Sequence, residues 1–351
     1  MTSETCFHID VTPRRSGVNE RMGRVASRSK RSCALTEGAP DGVGGGAPYE
    51  YTCRTMGDLR TRGTVTITGA GGYIGRHVVS AVADLGYEPV AVVRPGKGGT
   101  ADLDPRARIV EADLLVEGTD ISATVAADTV AFIHLAWQDG FVHNAPSHLR
   151  YVGRHLDVLT AAAQAGVPRV VALGTMHEIG YWEGPIEEDT PSAPRSLYGI
   201  AKDALRRSAL LTLTDRVEFA WLRCFYIYGD DRRSNSIFGR LLTAADEGSA
   251  TFPFTSGRNL FDFIHVDELA RQIAAAAITP GEVGIINCAT GRPISLAEQV
   301  EAFISDHDLD IRLEYGAFPD RPYDSPGVWG DARRIQSIMQ SHPPETARSL
   351  G

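Results

Sequence analysis

Val65-Thr66-Ile67-Thr68-Gly69-Ala70-Gly71-Gly72-Tyr73-Ile74-Gly75 is the stretch that decides the fold. Its first four residues are all β-branched and read as a buried strand. From Ile74 to Leu85 apolar residues recur every three or four positions, as on one face of a helix. Between the two stand glycines at 69, 72 and 75. Without a Cβ they permit a tight turn and let backbone N–H groups approach an anion, which the start of a helix favours. A strand that passes straight into a helix through such a loop is the setting in which glycines cradle the diphosphate of a dinucleotide. On that reading Gly69, Gly72, Tyr73, Ile74 and Gly75 open a cofactor site; the bland alternative is a glycine-rich turn that binds nothing.

Downstream, strand-like runs keep alternating with helical ones. Pro89 to Val93, Ala107 to Val110, Val130 to His134, Val170 to Leu173 and Phe219 to Arg223 read as strands, and Leu149 to Ala165 and Tyr198 to Leu213 as helices. This pattern predicts an α/β fold, a doubly wound parallel sheet of the Rossmann kind with a smaller C-terminal substrate-binding region. Residues 1–60 lack a periodic apolar face and read as a disordered extension. Residues 61–229 are predicted to form the dinucleotide-binding domain. Residues 230–351 are assigned mainly to substrate, with 262–290 returning to the sheet, and 230–259 reads as loop-rich.

With 351 residues, 43% of them hydrophobic and 23% charged, the chain can bury a sizeable core. Its net charge of −9, without a long acidic tail, argues against nucleic acid as a partner. No apolar run of about 18 residues is present, so no membrane partner and a cytoplasmic address are expected. The five cysteines form no CxxC pair and have no histidine at ligand spacing, which predicts free thiols and no metal site.

Further cofactor contacts are predicted where strands end. Arg94 closes the second strand, where an acidic residue would hold a ribose hydroxyl; a guanidinium there would pair with a 2′-phosphate, although it is equally placed to be a loop cation. Asp113 and Leu114 can meet an adenine, with a helix cap as the other reading of Asp113. Leu135 and small Ala136 follow the fourth strand beneath the cofactor path.

Tyr198-Gly199-Ile200-Ala201-Lys202 sets Tyr198 and Lys202 one helical turn apart on one face. A phenol of ordinary pKa about 10 is a poor acid/base at neutral pH, and a nearby ammonium is expected to draw it down. Lys202 can also hydrogen-bond a nicotinamide ribose. Thr175, at the end of the fifth strand, can share the substrate oxygen that Tyr198 protonates. Alone, Tyr-x-x-x-Lys is a weak signal and a helical tyrosine usually packs. Glycine loop, strand-end threonine and helix-start tyrosine in this order are specific.

These residues resemble the extended short-chain dehydrogenase/reductase family, which holds NAD(P)-dependent sugar-nucleotide epimerases, dehydratases and reductases. The resemblance runs from about Val65 to Met339. It includes Arg223-Cys224-Phe225-Tyr226-Ile227-Tyr228-Gly229, Phe261-Asp262-Phe263-Ile264-His265-Val266-Asp267 and Asp320-Arg321-Pro322-Tyr323-Asp324. It implies Phe225 as a cofactor contact and Thr175, His177, Arg258 and Arg321 as substrate contacts. Met176-His177 stand where the family's dehydratases carry Asp-Glu, which argues against loss of water. Phe261 replaces an arginine and Tyr151 an asparagine, so the diphosphate contacts and proton relay are expected to differ. The function these residues imply is reduction of a 4-keto-6-deoxyhexose nucleotide with NADP, NAD being the other cofactor allowed. The alternatives are an NAD-dependent nucleotide-sugar 4-epimerase and an inactive NADP-binding sensor or docking protein. The resemblance also implies a homodimer formed through the helices at Leu149 to Ala165 and Tyr198 to Leu213.

Overall fold

The computed structural model describes residues 62–96, 99–232, 236–320 and 325–343. Residues 1–60, read above as an extension, and Arg321 lie outside the described residues. In chain order the elements are β1 (Thr64–Thr68), α1 (Tyr73–Asp84), β2 (Glu88–Val93), β3 (Arg108–Glu111), β4 (Thr129–His134), α2 (Ser147–Gln164) and β5 (Arg169–Thr175). There follow β6 (Gly184–Ile186), α3 (Leu197–Leu213), β7 (Glu218–Cys224), β8 (Tyr226–Tyr228), α4 (Ile237–Asp246), β9 (Thr251–Pro253), β10 (Leu260–His265) and α5 (Val266–Ile278). The last are β11 (Gly284–Cys288), β12 (Pro293–Ser295), α6 (Leu296–Asp306), β13 (Arg312–Glu314), β14 (Gly327–Gly330) and α7 (Arg333–Gln340).

Seven parallel strands lie side by side in the order β11-β7-β5-β4-β1-β2-β3. Strands of such a sheet are buried on both faces, so successive residues must be apolar in both directions. In β4, Phe132 faces one helical layer and Ile133 the other, and both are fully buried. α1 and α5 pack together on the first face, around Val79 and Ile273; α2 and α3 pack on the second, around Leu159 and Leu205. From β1 the chain winds outward through β2 and β3, then returns past β1 to β4. That reversal leaves a crevice beyond the ends of β1 and β4, where ligands of such sheets bind.

A second sheet, β12-β10-β14-β6, is joined by β8 pairing with β10, and β13 pairs with β9. The stretch 230–259, read from sequence as loop-rich, contains α4 and β9. Phe238, Leu241 and Leu242 bury one face of α4, and Ser236 caps it by accepting the Gly239 N–H at 3.2 Å. This apolar face spans under three turns between polar neighbours, too short a signal for periodicity to detect.

Candidate active site

A cavity of about 720 Å³ opens beyond the ends of β1, β2, β4, β5 and β7. It gathers the predicted cofactor residues Gly69, Gly72, Tyr73, Ile74, Gly75, Arg94, Asp113, Leu114, Leu135, Ala136 and Phe225 together with Thr175, His177, Tyr198 and Lys202. Arg258 does not line it. That residue is exposed on a turn of the second sheet, where its backbone N–H donates to Ser256 Oγ at 3.3 Å.

The glycine loop is as tight as its sequence suggests. Gly69 has φ +69°, and a Cβ on it would lie 2.7 Å from Ala136 N; one on Gly75 would lie 2.2 Å from Gly69 O. Gly72 caps α1 without a side chain, and the first turn holds no acidic residue. The N–H groups at this helix start are therefore left for an anion, so these residues fit a dinucleotide diphosphate. Arg94 is exposed at the cavity edge and makes no ion pair among the described residues. Asp113 both lines the cavity and caps a turn, its Oδ1 accepting the Leu115 N–H at 3.1 Å.

Thr175 ends β5, and Tyr198 stands at the start of α3, near enough for the Thr175 hydroxyl to lower the pKa of the phenol. The first turn of α3 has its backbone donors satisfied from outside the helix. Ser196 Oγ accepts from Gly199 N–H (3.1 Å), the His143 carbonyl from Tyr198 N–H (2.8 Å) and Asn144 Oδ1 from Leu197 N–H (3.1 Å). The loop between β4 and α2 thus holds α3 by its first turn.

The electrostatics depart from expectation. Burial pushes the Tyr198 phenol above its ordinary value, with Cys224 and Glu178 adding to the rise and the Thr175 hydrogen bond opposing it. The Lys202 ammonium does not offset this burial; it donates to the Leu173 carbonyl at 2.7 Å and lies 3.9 Å above the Trp137 ring. Burial in turn lowers Lys202 to about 8.

Several residues around this centre carried no motif. Trp137 stacks on His155 with centroids 4.4 Å apart, and its Nε1 donates to His148 Nδ1 at 3.1 Å. His148 Nε2 then donates to the Val142 carbonyl at 2.9 Å, which fixes a neutral imidazole with its proton on Nε2. His143 and Cys224 also line the cavity, and burial raises the Cys224 thiol to about 12. Behind Thr175 lies a fully buried ion pair, Arg223 Nε to Glu178 Oε1 at 2.8 Å, with Trp221 Nε1 donating to the same carboxylate. The only sequence signals here were Trp137 beside Ala136 and Glu178 close after Thr175.

Residues 65–289 match the NAD dependent epimerase/dehydratase family. The chain belongs to that family. This family member is 41% identical over 268 residues to dTDP-6-deoxy-L-talose 4-dehydrogenase (NAD(+)) of Aggregatibacter actinomycetemcomitans, a match covering 76% of this chain and 98% of the relative. It is 28% identical over 311 residues to UDP-glucose 4-epimerase of Azospirillum brasilense, covering 78% and 86%. Among solved structures it resembles MoeE5 in complex with UDP-glucuronic acid and NAD, at 28% identity and a TM-score of 0.65 over 79% of this chain and 93% of that one. The chain is an NAD(P)-dependent enzyme of the oxidoreductase type. No helix among the described residues is long and apolar enough to cross a membrane.

Proposed function

We propose that this protein interconverts the C4 alcohol and the C4 ketone of a 6-deoxyhexose carried on a nucleoside diphosphate, with NAD as redox partner. The observation that carries this reading is the Tyr198–Thr175 hydroxyl pair set at a glycine-loop cavity with Lys202 one turn away. The 41%-identical relative, named for a deoxytalose nucleotide and NAD(+), supports the substrate class and moves the weight from NADP to NAD. Its reaction is written in the oxidative direction; a 4-ketoreductase runs the same chemistry in reverse.

When bound, the nicotinamide would supply the hydride acceptor or donor at C4. The protein's own part is proton transfer and placement. Tyr198 Oη takes the O4 proton in oxidation and returns it in reduction, while Thr175 Oγ1 holds the same oxygen. Lys202, held by the Leu173 carbonyl, keeps a positive charge one turn from the phenol. Gly69, Gly72 and Gly75 hold the dinucleotide diphosphate at the start of α1.

The test is incubation of the protein with dTDP-6-deoxytalose and NAD+. Net formation of NADH with a 4-keto product is expected. A 4-epimerase, the reading favoured by the relatives at lower identity, would invert C4 with no net NADH. We further read the protein as a homodimer paired through α2 and α3, which leave Leu149, Ile200 and Leu211 exposed. Free Cys224 and Cys288 suit a reducing, cytoplasmic setting.

A further inference from the structure

His177 follows Thr175 by two residues, and its backbone N–H donates to Thr175 Oγ1 at 3.3 Å. Its imidazole therefore leaves the end of β5 beside the Tyr198–Thr175 hydroxyl pair. His143 reaches the same place from the β4–α2 loop. Its ring stacks on Tyr198, with centroids 5.3 Å apart and planes at 28°, and meets the edge of His177 at 4.7 Å. Both rings line the cavity, and neither has a side-chain hydrogen-bond partner among the described residues.

We propose that His143 and His177 read the hydroxyl on C3 of the sugar, the ring carbon beside the one that is oxidised or reduced. This rests on the C4 oxidoreductase reading. A pyranose whose O4 lies on Tyr198 Oη and Thr175 Oγ1 has two ring carbons next to C4. In a 6-deoxyhexose C5 bears a methyl and the ring oxygen, which has no proton to donate, whereas C3 bears a hydroxyl one hydrogen-bond length from O4. Two imidazoles flanking the hydroxyl pair match that group, because a neutral imidazole presents one donor and one acceptor nitrogen. Burial holds both below their ordinary value, His177 down to about 3, with His148 adding to the fall at His143 and His143 to that at His177. An uncharged pair is a weak anchor for a diphosphate and a good reader of a hydroxyl. A substrate lacking O3 leaves these nitrogens unpaired in a part-buried site, which is how a site rejects a deoxy analogue.

The experiment uses the full chain loaded with NADH and a sugar nucleotide already reduced at C4, so that no turnover occurs. Binding of a dTDP-6-deoxyhexose and of its 3-deoxy counterpart is measured by calorimetry. Wild type is expected to prefer the 3-hydroxy compound about 10²-fold, below the largest known discriminations because the rings are partly exposed. His143→Phe and His177→Phe keep the aromatic packing, which melting curves check. Each should cut the preference below about tenfold by weakening the 3-hydroxy compound alone, and His143→Gln should restore part of it. An unchanged preference in both variants overturns the inference, as does a wild type that binds the two compounds equally. A wild type that binds neither sugar nucleotide overturns the C4 reading itself, and the inference with it.

Discussion

Tyr198 and Lys202 sit one turn apart on α3, with the lysine donating to the Leu173 carbonyl and lying over the Trp137 face. The phenol stays protonated at neutral pH, the form that donates to a ketone; alcohol oxidation must first remove that proton and should speed up as pH rises. Tyr198→Phe keeps the ring and deletes the proton, so single-turnover rates should fall about 10²- to 10⁴-fold while cofactor binding holds. Rates within threefold of wild type would end its role as acid/base. Lys202 should show the opposite sign in stability. Its folded pKa of about 8 lies below the ordinary 10.5, so between these values the unfolded chain binds more protons and wild-type stability rises with pH. Below 8 the buried charge is a cost. Lys202→Met should therefore be inactive yet more stable at pH 7, by on the order of 1–3 kcal/mol, a gain that shrinks toward pH 10.5. Equal melting temperatures across that range would refute it. Arg94→Ala should leave NADH affinity unchanged if the site takes NAD; a loss confined to NADPH would instead restore the 2′-phosphate contact, and titration of both cofactors decides.

Among the elements, β5 has the narrowest tolerance. A Cβ on Gly174 would lie 2.1 Å from Trp221 Nε1, so Gly174→Ala forces either the strand or the buried indole to move. Urea unfolding should show a loss of about 1–3 kcal/mol, with a drop in activity because Thr175 is the next residue. Trp221→Phe in the same chain should recover part of the stability; no recovery would place the strain elsewhere. The strands and most helices were legible because their apolar spacing is long and regular, and the glycine loop and Tyr198–Lys202 because their chemistry demands a fixed spacing. The β4–α2 loop was not. Trp137, His143 and Asn144 act through one stacking face, one carbonyl and one amide oxygen, and none of these leaves a period in the sequence. The pKa of Tyr198 was illegible for a related reason, since spacing places Lys202 near it but does not say how much water the fold removes from the phenol.

For the whole molecule, the chain reversal at β1 and β4 sets where the crevice opens, and the loops beyond β5 and β7 set what faces it. Arg258 was expected among the substrate contacts and instead lies exposed on the turn before β10. Assembly is the remaining question at this scale. Leu211 on α3 is 89% exposed, a large apolar side chain with nothing over it in the single chain. If two copies pair through α2 and α3, Leu211→Glu should convert the dimer to a monomer with its fold intact. Light scattering that gives the same mass for both proteins would reject that surface.

The chain has four tryptophans, at 137, 182, 221 and 329, and of these Trp137 alone lines the cavity. Its indole touches the Lys202 ammonium on one hand and the His155 and His148 imidazoles on the other, all of them groups able to quench an excited indole. The protein thus carries a built-in optical reporter. Excitation of Trp137 should pass to a reduced nicotinamide in the same cavity, so that cofactor arrival registers as a fall in tryptophan emission and a rise in nicotinamide emission. Trp137→Phe should remove a large part of that signal, with Trp221, whose ring centroid lies 6.0 Å from the Lys202 ammonium, supplying much of the rest, which gives a dye-free way to follow cofactor arrival.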